Sequence, residues 1–118
     1  MGETRVLVKL CGPLGSIELE TLADTGATFT KVPKDTVAKL GLEAKYEAPI
    51  KLADGRIITR RLALAEIEIE GVRRPVLVAI AENEERPLLG YTTLEALGLK
   101  VNPLTRKLER ASAIEYYS

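Results

Sequence analysis

The chain contains no histidine, no tryptophan and no glutamine, only two asparagines, and one cysteine and one methionine. Without histidine, no triad in which an imidazole activates a serine or cysteine can be built. The same absence argues against a zinc site, so neither a metal nor another cofactor is expected. Cys11 has no internal disulfide partner and no imidazole to activate it. It reads as a small core residue of a protein in a reducing compartment, the cytoplasm. No apolar run reaches membrane length and no signal-peptide pattern opens the chain. Met1-Gly2 is followed at position 6 by Val6, not by the Ser or Thr that myristoylation favours. Neither sign of charge prevails: Lys plus Arg and Asp plus Glu are 17 each. That balance gives no reason to expect nucleic acid or an anionic membrane as a partner.

What is present describes a small globular protein. Hydrophobic residues make up 46% of 118 residues, enough for a single domain spanning 1–118 that buries about two-thirds of its unfolded surface. Abundant Glu, Lys, Arg, Ile, Leu and Val, with few thermolabile side chains, fits a thermophilic source. Arg5–Cys11 and Ile17–Ala23 read as a hairpin across the turn-rich Gly12–Ser16. Phe29–Val32 is a short strand, and a helix ends at Gly41 with Val37, Leu40 and Leu42 turned to the sheet. Tyr46–Leu52 and Arg56–Ile69 flank Asp54-Gly55, a hairpin signal because that turn needs positive φ. Leu62 and Leu64 lie on one face of the second arm and Ile67 and Ile69 on the other. A bulge near Ala65, or a strand passing from one sheet to another, accounts for the change. Arg73–Ala81 returns from a turn at Gly71-Val72. Thr92–Leu97 forms a second short helix closed by Gly98, and Leu99–Glu109 a last small hairpin. Residues 110–118 read as a loose tail. The pattern is all-β and barrel-like, with one or two short helices. Arg60-Arg61 and Arg73-Arg74 are expected to pair with Glu66, Glu68 and Glu70 across the sheet.

The residues with chemistry to offer are Asp24-Thr25-Gly26-Ala27-Thr28. They follow the alternating strand Ile17–Ala23 and precede Phe29–Val32. An acidic residue thus stands where a strand ends, in a tight loop that Gly26 lets approach another backbone. Read plainly, Asp24 is a turn carboxylate bonded to nearby N–H groups. Read functionally, it is poised for acid–base chemistry once a second carboxylate comes near. The chain holds no second copy of the motif, so that partner must be Asp24 of another subunit.

Asp24–Thr28 resembles the Asp-Thr-Gly-Ala-Ser/Thr signature of retropepsin-like aspartic proteases. Pro87-Leu88-Leu89-Gly90, followed by the Tyr91–Leu97 segment, is similar to that family's second signature and helix. Ala53-Asp54-Gly55-Arg56 stands where the family carries its flap. The resemblance covers roughly residues 5–110, with three elements in the right order. It implies a closed partial barrel and an aspartic endopeptidase working as a homodimer on peptide or protein substrates. Asp24 would be the catalytic residue. Thr25 would lock the two loops together, Gly26 would meet substrate main chain, and Ala27 would lie beside it. Leu88, Leu89 and Gly90 would line the cleft, and residues 53–56 would close over it. Retroviral members pair an acidic residue and an arginine at the positions held here by Thr28 and Tyr91. With both halves absent, the resemblance points to a cellular or prokaryotic branch. A catalytically silent peptide-binding or dimerisation module on the same fold is the alternative reading, and a peptidase that only processes itself is a third.

Overall fold

The computed structural model describes residues 3–111. The expected tail beyond Ala111 lies outside the described residues. Among the described residues, nine strands and two helices follow in the order β1 (Arg5–Gly12), β2 (Gly15–Asp24), β3 (Thr30–Pro33), α1 (Lys34–Leu40), β4 (Tyr46–Lys51), β5 (Ile57–Ile69), β6 (Val72–Ala81), β7 (Leu88–Gly90), α2 (Tyr91–Leu97), β8 (Leu99–Asn102) and β9 (Lys107–Arg110). The main sheet runs β1-β2-β7-β3-β6-β5-β4, and β1 also pairs with β5. That extra pairing closes the strands from β1 to β5 into a barrel and leaves β4 as an arm outside it. A separate two-stranded sheet is formed by β8 and β9.

Closure follows from the alternation of side chains. Val6, Val8 and Leu10 of β1, Val32 of β3, Ala63, Ala65, Ile67 and Ile69 of β5, Val76 and Val78 of β6 and Leu89 of β7 are buried in one core. Alternate residues of these strands thus point into the core. Leu40 and Val37 of α1 and Leu94 and Leu97 of α2 seal the barrel against the same core. Both helices stop at a left-handed glycine, Gly41 and Gly98. The two faces expected for β5 are observed, with Leu64 exposed and Ile67 and Ile69 buried. No bulge produces them: the register with β6 runs unbroken from Leu62↔Ala79 to Ile69↔Val72. Instead β5 changes partners on its other edge. Its first half, Ile57–Leu62, pairs with β4, and Glu66–Glu68 pair with β1. One straight strand of 13 residues serves first as one side of the arm and then as a stave of the barrel. Cys11 is buried and free.

Candidate active site

Asp24 is the last residue of β2. Its strand runs parallel to β7 in the register Leu22↔Leu88, Ala23↔Leu89, Asp24↔Gly90, so the two sequence signatures meet side by side. Between Asp24 and β3 the chain makes a short loop. Gly26 N–H donates to Asp24 Oδ1 at 2.9 Å, and Ala27 N–H to Asp24 O at 3.1 Å. The turn role for this carboxylate is therefore real, but it occupies only one oxygen. Asp24 Oδ2 accepts no hydrogen bond from the described residues. Asp24 is half-buried, while Thr25, Gly26 and Thr28 are exposed.

The loop is held from behind by α2. That helix has no side-chain cap, and its first N–H groups need acceptors. Tyr91 N–H donates to Ala27 O at 2.7 Å, and Thr92 N–H and Oγ1 both donate to Thr28 O, at 3.0 and 2.7 Å. The loop carbonyls thus cap the helix, and the helix fixes the loop. A buried polar knot lies beneath. Thr30 Oγ1 accepts the Gly90 N–H at 3.0 Å and donates to Thr93 Oγ1 at 2.7 Å. All of these donors have partners, as burial demands. Sequence reasoning passed over Thr30 and Thr93. The available signal was a hydroxyl residue in the same inward phase as Val32.

Within one chain a close backbone approach is made at Gly90. A Cβ on Gly90 would sit 2.5 Å from the Phe29 carbonyl oxygen and 2.7 Å from Thr30 N. Around Gly26 the nearest atom to such a Cβ is Asp24 Oδ1 at 3.3 Å; within one chain no other backbone crosses it. Leu89 is fully buried and belongs to the barrel core, whereas Leu88 is half-buried on the outer face. Of the two expected cleft leucines, only Leu88 shares a face with Asp24. An open cavity of about 670 Å³ adjoins the Asp24 loop, walled by Glu3, Thr4, Leu22, Thr25, Val101 and Arg106 among others.

The candidate flap is the arm made by β4 and the start of β5. Its tip is self-contained. Asp54 accepts the Arg56 N–H at 3.0 Å on one oxygen and the Arg56 Nε–H at 2.7 Å on the other. These bonds hold its carboxyl below the usual range, the backbone bond from Arg56 foremost. Ala53–Arg56 are all exposed, and Ile57 beside them is 69% exposed. The base of the arm is tied down by a contact the sequence did not suggest. Arg60 forms a two-pronged bond to Glu85, at 2.9 and 2.6 Å. Of the expected cross-strand pairs, Arg73–Glu66 forms at 2.7 Å, whereas Arg61 donates to Ala44 O and Arg74 to Arg73 O.

Among the described residues no group of three or more Cys, Asp or Glu side chains is placed to hold a metal ion. Among the same residues no helix is long and apolar enough to cross a membrane. Among known proteins, a family model described as "Aspartyl protease" matches residues 8–93. Among solved structures, EIAV protease complexed with the inhibitor HBY-793 has a similar fold, at 20% identity and a TM-score of 0.64, over 86% of this chain and 93% of that one. No curated protein matches the chain. The closed barrel, the pairing of the two signature strands and the extent of the family match lead to one assignment: the chain belongs to the retropepsin-like aspartyl protease family.

Proposed function

We propose that the protein is an aspartic endopeptidase whose active site forms only when two copies place their Asp24 loops together. The observation that carries this reading is the Asp24 carboxylate itself. It stands on a strand end, braced by α2, with one oxygen engaged by Gly26 and the other without a partner among the described residues. A single carboxylate cannot serve as base and acid in the same turnover. Two in contact can, because like charges in close contact do not both ionise and the pair retains one proton. The ionised member would take a proton from water as it attacks the scissile carbonyl carbon, and the protonated member would donate to the carbonyl oxygen. By symmetry either chain can fill either role.

The surface around Asp24 supports the two-copy arrangement. Thr25 and Gly26 are exposed at the loop apex, and the adjoining cavity reaches to Val101 and Arg106. Leu104, at the turn of the β8–β9 hairpin, is 91% exposed. An isologous dimer with its axis through the Asp24 loops would cover this ground. The Ala53–Arg56 tip and Ile57 would then close on a bound peptide and exclude water.

The test is a pepstatin-sensitive peptide-cleavage assay at acid and neutral pH, run at elevated temperature, on the wild type and on Asp24→Asn. The substitution should lower turnover by about 10²–10⁴-fold. It should barely alter the melting temperature, because the Asn carbonyl still accepts the Gly26 N–H. A fully folded wild type that cleaves nothing would favour the peptide-binding module. A large fall in melting temperature with cleavage unchanged would make Asp24 a structural turn residue.

A further inference from the structure

A row of side chains crosses the sheet on the face turned away from the barrel core. Residues paired directly across strands share a face. Leu22 pairs with Leu88, Leu88 with Lys31, Lys31 with Ala79, and Ala79 with Leu62. Asp24, two residues beyond Leu22 on β2, shares that face. Leu62 and Ala79 are nevertheless buried, so this stretch of the outer face is walled in. From Asp24 to Lys31 the path is two strand spacings of about 4.8 Å and one two-residue step of about 6.6 Å, or about 12 Å between Cα atoms. An extended peptide advances about 3.3 Å per residue. A chain whose scissile bond lies at Asp24 therefore brings a side chain within about three residues of that bond alongside Lys31.

The surroundings of Lys31 set its chemistry. Glu85, in the loop between β6 and β7, spends one oxygen on Arg60 at 2.9 Å and on the Glu82 N–H at 2.9 Å. Its other oxygen takes Arg60 at 2.6 Å and Lys31 Nζ at 3.4 Å. The carboxylate is thus saturated, whereas Lys31 has made one long bond and has donors left over. Two cations share one anion, which leaves the cluster one positive charge in excess. The Lys31 and Arg60 side chains are only 21% and 16% exposed. A charge shielded from water in this way attracts an opposite charge more strongly than one on an open surface.

We propose that Lys31, backed by the Arg60–Glu85 pair, forms a cationic subsite that selects an acidic side chain in a peptide bound at Asp24. The inference rests on the peptidase reading for the location of the scissile bond. Arg60 and Glu85 act by position: they hold Lys31 at the cleft wall while leaving its charge uncancelled. Glu85 is held down to about 2, chiefly by the hydrogen bonds from Arg60, so its carboxylate stays ionised and keeps its grip on Arg60 at the pH values of the assay.

The experiment profiles cleavage of a randomised peptide library by the wild type, Lys31→Gln and Lys31→Arg. In the wild type, Asp and Glu should be enriched about tenfold at one position within three residues of the cut. Lys31→Gln should lose the enrichment and still cleave neutral peptides, and Lys31→Arg should keep it. Cleavage without acidic enrichment in the wild type, or enrichment that survives in Lys31→Gln, overturns the subsite and leaves the peptidase reading standing. Should the wild type cleave nothing, the peptidase reading is what fails. The same library is then passed over immobilised wild type and Lys31→Gln. Retention of acidic peptides by the wild type alone upholds the subsite, and equal retention by both overturns it.

Discussion

Asp24 and Asp54 close their turns in the same way. Each accepts the backbone N–H of the residue two positions on, Gly26 at 2.9 Å and Arg56 at 3.0 Å. Beyond that bond the two regions diverge. The second oxygen of Asp54 is taken by the Arg56 side chain, and the whole tip is exposed and held only by its own residues. The second oxygen of Asp24 has no donor among the described residues, and its loop is bound to α2, β7 and the Thr30–Thr93 knot. One aspartate has both oxygens engaged on a self-sufficient turn; the other has one engaged on a braced turn. The chemical difference between two similar tripeptides comes from what the fold packs behind them. On the proposed function, the Asp24 loop would hold its carboxylate against a second one and would need such bracing, whereas a tip that opens and closes would need none.

The contrast can be broken at the braced loop with Gly90→Ala. The new methyl group would press on the Phe29 carbonyl and Thr30 N, which are backbone atoms and cannot rotate away. Overpacking of this kind costs about 3 kcal/mol, and thermal unfolding should register it. An unchanged melting temperature would mean that the loop yields and is not braced as described.

A smaller effect sharpens the other half of the comparison, at the base of the arm. Glu85 is lowered from 4.5 to about 2, and its side chain is 28% exposed. Because its folded value lies below its unfolded one, the stability it contributes is complete above about pH 4.5 and is lost as the pH falls toward 2. Glu85→Gln should cost about 2 kcal/mol at neutral pH and flatten the decline in melting temperature across that acid window. A variant whose acid profile overlays the wild type would remove Glu85 from the anchoring of the arm.

Asp54→Ala should have the least effect. Both bonds it would remove lie within an exposed turn, so the melting temperature should stay within the error of the measurement. Any consequence should appear in KM for peptides, measured under the cleavage conditions. A clear loss of stability would show that the tip is fastened to the rest of the protein after all.

What was legible in the sequence was mostly local. The strand leading into Asp24, the Asp54-Gly55 hairpin, the glycines that end both helices and the Leu88–Gly90 segment are set by short-range alternation and turn chemistry. What escaped depends on partners far away in the chain. Arg60 was assigned to strand glutamates because alternation brings those near, but Glu85 reaches it from a loop. The hydroxyls of Thr30 and Thr93 meet across 63 residues, and the inward phase that Thr30 shares with Val32 does not tell which distant hydroxyl it meets. The close backbone approach made within the chain at Gly90 arises where the Phe29–Thr30 backbone crosses β7, and no local pattern announces that crossing. The change of face in β5 was seen, but neither a bulge nor a passage from one sheet to another produces it: the β5–β6 register is unbroken, and β5 stays in one sheet while its other edge exchanges β4 for β1.

The central claim, that one Asp24 is useless without another, is tested most directly by mixing subunits. Wild type and Asp24→Asn are unfolded together, refolded at a fixed total concentration in varied proportions, and assayed for peptide cleavage. If the site needs both carboxylates, activity should follow the square of the wild-type fraction, so an equal mixture should retain about one quarter of the wild-type rate. A linear decline, with about one half retained at equal proportions, would mean that each chain acts alone and would contradict the account.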